Sequence, residues 1–216
     1  MVLHRPVEPA RLTGHLNTSF YGDHAMGIIQ GTRTKEKKRV RTRIETRRLI
    51  LRPFEPADVE AAFGWFGDPV VMRFTPTGPD KSIEETRKRL SYFENHQQAH
   101  GFSKWVVLNA ASGVPIGDSG LLVLPECGWI DLGFRLAQPH WGQGLATEAA
   151  SAWVRAAFDE YRIRQLGAFV HPKNVASIRV LEKLGFHDER QDTIMGMEST
   201  VFSLHADGPI RELVPD

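Results

Sequence analysis

The segment Gln138-Pro139-His140-Trp141-Gly142-Gln143-Gly144-Leu145-Ala146-Thr147-Glu148-Ala149-Ala150 constrains this chain more than any other. An apolar strand pattern ends at Leu136, a short loop with two glycines follows, and a helical pattern begins at once. Glycines at 142 and 144 let the backbone approach a ligand closely and expose successive amides. Amides at a helix N-terminus form an anion site favoured by the helix dipole, and a diphosphate is a natural occupant. The spacing is not GxGxxG, because position 147 is Thr, and no Gly-Lys-Ser/Thr follows. A glycine turn that only starts a helix remains open on this segment alone.

The elements around the loop follow from period and punctuation. Residues 48–53 read as a first strand, 55–66 as a helix with Pro56 early in it, and 83–100 as a second helix. Ser82 with Glu85 makes a capping-box pattern. Residues 102–108, 114–124 and 129–136 read as three strands joined by short turns, hence an antiparallel meander. A helix over 142–158, a strand over 165–170, a helix over 174–184 stopped by Gly185, and one or two final strands, the last over 198–205, complete the order. This is a mixed α/β domain with a helix-connected parallel pair after a meander.

A second constellation lies at Asn174-Val175-Ala176-Ser177-Ile178-Arg179-Val180-Leu181-Glu182-Lys183-Leu184-Gly185-Phe186. Asn174 can cap the helix, and Ser177 stands three residues on, on the same face. Together the two segments resemble the GNAT superfamily of N-acetyltransferases, most closely the branch with the ribosomal-protein N-terminal acetyltransferases. In that family a WGxGxAxEA segment binds the pyrophosphate of acetyl-CoA and an NxxSxxxxxKxGF segment follows the next strand. Thr46-Arg47-Arg48-Leu49-Ile50-Leu51-Arg52-Pro53 also looks like the family's first strand. Pro139 stands where the broader superfamily has Gln or Arg, a departure common in this branch.

The resemblance implies a mostly antiparallel central sheet with splayed fourth and fifth strands, flanked by about four helices. By the same likeness Phe134 and Leu136 offer backbone groups to the pantetheine arm. Gly142, Gln143, Gly144, Leu145, Ala146 and Thr147 surround the pyrophosphate. Asn174 bonds near the reactive end, and Ser177 stands by the thioester sulfur as donor to the leaving thiolate. Asp131 is the chosen base, with Asp118 as the alternative and Glu148 read as structural. His171 is a loop histidine able to titrate near neutral pH. Trp65 and Phe74 are candidates for acceptor specificity. The acceptor is a primary amine, either a protein N-terminus or a small molecule. A non-catalytic acyl-CoA-binding sensor is the alternative function. A homodimer is an open partner alternative.

Cysteine and charge bound the rest. With one cysteine, Cys127, neither an intrachain disulfide nor a multi-cysteine zinc site can form, and no metal is expected. Cys127 lacks a local partner, which favours direct transfer over an acetyl-cysteine route. No apolar run approaches the ~20 residues of a membrane span, so a cytoplasmic protein without membrane contact is expected. Residues 1–48 hold 11 Lys/Arg and 4 Asp/Glu, a balance of +7, and residues 49–216 hold 16 and 22, a balance of −6. Residues 1–44 therefore read as a basic extension to a domain over 45–216. The extension is a solvated tail, an RNA- or ribosome-contacting arm, or a stretch preceding a native start at Met26.

Overall fold

The computed structural model describes residues 42–207. Most of the basic extension, and the choice among its readings, lies outside them. In chain order the elements are β1 (Ile44–Glu45), β2 (Leu49–Arg52), α1 (Val59–Phe66), α2 (Pro69–Met72), α3 (Ile83–His100), β3 (Lys104–Asn109), β4 (Pro115–Leu124), β5 (Trp129–Leu136), α4 (Leu145–Arg155), β6 (Gln165–Val170), α5 (Val175–Lys183), β7 (His187–Ile194) and β8 (Met197–His205). The strands form one sheet in the order β1-β2-β3-β4-β5-β6-β8-β7. Every neighbouring pair is antiparallel except β5 and β6.

That parallel pair opens the site. β5 pairs with β4 along its whole length, and β6 pairs with β8 from Gln165 to Val170. Between them stands one register pair, Asp131 with Gly167. Beyond it the C-terminal halves of β5 and β6 share no ladder, which is the expected splay.

Two apolar cores cover the two faces. On β3, Trp105 and Val107 join the first core with α4, and Val106 and Leu108 join the second with α1 and α3. Alternation along the strand explains the split. The Trp105 and Trp153 rings meet edge to face with centroids 4.8 Å apart. Trp153 is fully buried, so Trp153→Ala is expected to cost about 3–5 kcal/mol in a urea unfolding titration.

Local chemistry sets the helix ends. The Ser82 hydroxyl accepts the Glu85 amide at 3.3 Å, and Gly101, left-handed at φ +81°, ends α3 where expected. The helix expected over 142–158 begins later, at Leu145, because Gly142 and Gly144 are left-handed at φ +72° and +75°. Its last turn widens, with the Tyr161 amide on the Ala156 carbonyl at 3.0 Å. Among the described residues five helices flank the sheet where about four are expected, α2 being a single turn capped by Asp68. β1 adds a strand to those read from the sequence, and β7 is the second of the final strands, whose position the sequence does not mark.

Candidate functional site

The loop before α4 is held from both sides. The Trp141 indole donates to the Leu136 carbonyl at 2.6 Å, and the Gln143 side chain donates to the Pro139 carbonyl at 2.9 Å. From the bend just before β2, Arg48 donates to the Gln143 carbonyl at 2.9 Å and, through Nε, to Glu148 at 2.7 Å. Glu148 also accepts the Arg48 amide at 2.8 Å and the Thr46 hydroxyl at 2.6 Å, so its structural reading agrees with the geometry. No atom lies within 4 Å of a Cβ placed on Gly142, so the approach to this turn is open. Leu145 is buried, leaving its amide as its polar contribution, and Ala146 and Thr147 are half-buried in the first turn of α4. Two left-handed glycines at a helix start, with open space above Gly142, suit a diphosphate.

Leu136 lies at the edge of the splay, but its carbonyl is taken by Trp141. Phe134 is partly buried against the first core. Across the splay, Asn174 caps α5, its side chain accepting the Ser177 amide at 3.3 Å. Ser177 is half-buried in that first turn.

The opposite face carries three register rows, two across β3, β4 and β5 and one from β4 through β5 to β6. They are Val106–Asp118–Arg135, Lys104–Gly120–Gly133 and, one row on, Leu122–Asp131, which continues to Gly167. The glycine row lets the Lys104 chain lie flat over the sheet. A Cβ at position 133 would fall 2.3 Å from Nζ. The ammonium donates to the Gly120 carbonyl at 2.9 Å and stands 3.8 Å from Asp131. Asp131 is 8% exposed, and its Oδ1 has no hydrogen-bond partner. Burial pushes its carboxyl up to about 6 against the opposing pull of Lys104, Arg135 and the Phe169 amide. Burial also brings the Lys104 ammonium down to about 8, against the pull of Asp131.

Asp118, the alternative base, is fully committed. Arg135 grips it twice, at 2.9 and 2.8 Å, and the Trp65 indole donates to it at 3.1 Å. Trp65 therefore corrects its expectation: at 1% exposure it has no surface for an acceptor, and it braces Asp118 from behind. Phe74 lies apart from that pair. Its ring stacks on His171 at 5.0 Å, bridging the segment after α2 to the end of β6, with the Arg73 guanidinium 4.6 Å away on the ring. His171 also accepts the Lys173 amide at 3.1 Å. Burial, followed by the nearby Asp131, Glu126 and Asp192 charges, raises the Cys127 thiol, which weakens it as a nucleophile.

Two residues escaped the sequence reading. Arg48 meets Gln143 and Glu148 across nearly a hundred positions, and no local pattern signals that. Lys104 carried a signal, a charge at the head of the apolar run Trp105-Val106-Val107-Leu108. Among the described residues no group of three or more His, Cys, Asp or Glu is placed to hold a metal ion, and no helix is long and apolar enough to cross a membrane.

Residues 48–187 match the family model described as an acetyltransferase (GNAT) domain. The chain belongs to the GNAT acetyltransferase family. It is accordingly an acyltransferase, as the paired loops implied. Among its relatives is the protein YkkB of Bacillus subtilis (strain 168), 33% identical over 150 residues that cover 68% of this chain and 86% of that protein. Of solved structures, a GNAT-family acetyltransferase from Bacillus anthracis superposes with a TM-score of 0.68 at 23% identity, covering 77% of this chain and 100% of the other. A ribosomal-protein-S5-alanine acetyltransferase from Vibrio fischeri superposes at 0.63 with 19% identity, covering 77% and 98%. At these identities the structures share the fold.

Proposed function

We propose that this enzyme moves the acetyl group of acetyl-CoA to a primary amine, by direct attack while both substrates are bound. The observation that carries the reading is the Gly142–Gly144 turn, open above and set at the start of α4 beside the interrupted β5–β6 ladder. The turn amides take the pyrophosphate, and the pantetheine arm runs into the splay past Phe134 and Leu136. Asn174 and Ser177 meet its reactive end from α5. As the amine nitrogen bonds to the thioester carbon and the carbon–sulfur bond breaks, Asp131 takes the amine proton, directly or through one water. Ser177 gives its hydroxyl proton to the thiolate and is reprotonated from solvent. A carboxyl near 6 is ionised at neutral pH and still basic enough to accept a proton.

The acceptor enters over the face of Phe74 and His171. The kinship in fold with the Vibrio fischeri enzyme, named for acetylating a ribosomal protein, supports a peptide N-terminus as one acceptor class. The acidic balance of residues 49–216 supports a cationic amine as the other. The test is release of free CoA over a panel of peptides and small amines. Release with free amines, and none with their N-acetylated forms, is expected. Tight acetyl-CoA binding without turnover on any acceptor would instead make the protein a non-catalytic acyl-CoA sensor. Once an acceptor is found, Phe74→Ala should raise its KM about 5–10-fold, the loss of one aromatic contact, with the KM for acetyl-CoA unchanged.

A further inference from the structure

We propose that Arg48 is a positioning residue for the phosphate-binding turn, fixing which way its peptide units face; this rests on acetyl-CoA being the donor. A turn built on two left-handed glycines lacks the steric restraint that a Cβ provides, so its peptide planes are free to flip. A flip of the Gln143–Gly144 peptide would aim a carbonyl at the phosphates in place of an amide. In a trans peptide the C=O and the following N–H point in opposite directions. Arg48 holds the Gln143 carbonyl at 2.9 Å, and that bond points the Gly144 amide the other way, away from the arginine.

Arg48 is itself locked. Its Nε reaches one Glu148 oxygen at 2.7 Å, while its own amide and the Thr46 hydroxyl hold the other at 2.8 and 2.6 Å. Glu148 sits in the first turn of α4. The fork of one guanidinium thus ties the turn and the helix start to the beginning of β2. The ion pair with Glu148 cancels the arginine's charge locally, so its effect on the donor is one of geometry. A lysine keeps the charge but cannot bond Glu148 and the Gln143 carbonyl in the same planar fork.

The experiment compares initial rates with acetyl-CoA and with S-acetylpantetheine, which lacks the pyrophosphate, for wild type, Arg48→Lys and Arg48→Gln. The expected result is about a tenfold fall in kcat/KM for acetyl-CoA, carried by KM, with S-acetylpantetheine unchanged within about twofold. Equal falls with both donors, or no fall with either, would overturn the proposal. Should the Arg48 variants unfold, Thr46→Val removes one bond to Glu148, and a smaller fall confined to acetyl-CoA is expected from it. If wild type itself shows no preference for acetyl-CoA over S-acetylpantetheine, the phosphate-turn reading fails and takes this one with it. A clear wild-type preference that the Arg48 variants retain sinks this inference alone.

Discussion

Asp131→Asn is expected to lower kcat by about 10²–10⁴-fold and to remove the acidic limb of the pH profile, while leaving acetyl-CoA affinity by calorimetry near that of wild type. The asparagine keeps the size of the side chain but cannot take a proton. The sign follows from burial. The carboxyl is raised to about 6, so in wild type kcat/KM should fall as pH drops through about 6 and the base becomes protonated. The groups around it set that value: Lys104 from β3 and Arg135 on β5 favour the ionised form, as does the Phe169 amide of β6, against burial. Lys104→Met removes the nearest of these charges, and the acidic limb should then move up by about 1 in pH. At neutral pH this variant should be slow, and it should recover as the pH is raised. Lys104 loses its proton only near 8, when Asp131 is already ionised, so the wild-type profile should rise through about 6 with no fall above 8 that traces to this pair. Full activity in Asp131→Asn, with the acidic limb intact, would assign the base elsewhere.

The sequence carried local geometry well and tertiary partners poorly. α3 was read over its observed span because Ser82, Glu85 and Gly101 act within one turn of its ends. β6 was read over its observed span because Leu166, Ala168 and Val170 alternate into the first core. β7 was not separated from the polar stretch after Gly185, because His187–Ile194 is almost wholly exposed and has no alternation to read. Its pairing with β8 is a backbone property, and its register shifts between Asp188 and Arg190. The same division runs through the site. The glycine turn and the Asn174 cap are written in consecutive residues. The grip of Arg48 on Gln143, and of Arg135 on Asp118, depends on which strands lie side by side. Trp65 shows the cost of reading composition without burial. An aromatic residue on α1 fits an acceptor wall or a core equally well, and only the Asp118–Arg135 pair above it decides for the core.

The other large effect is expected at the turn itself. Gly144→Glu should abolish measurable acetyl-CoA binding, a loss of more than about 100-fold, whereas Gly144→Ala should lose about tenfold or less. Both variants carry the strain of a side chain at φ +75°, about 1–2 kcal/mol for a residue other than glycine. The nearest atom to the added Cβ is the Arg48 Nη2 at 3.5 Å, an ordinary contact, so neither variant is crowded out of the fold. What separates them is charge. The introduced carboxylate sits at the start of α4, where the dipole and the free amides favour an anion. It therefore stabilises the very groups that the pyrophosphate needs and occupies them from within the chain. An attached competitor acts at an effective concentration in the millimolar range, above that of ordinary donor concentrations in an assay. Calorimetry on the two variants separates strain from occupancy. Equal losses in Ala and Glu would mean that the backbone conformation alone matters. Wild-type binding in Gly144→Glu would mean that the phosphates lie elsewhere and that the turn only starts a helix.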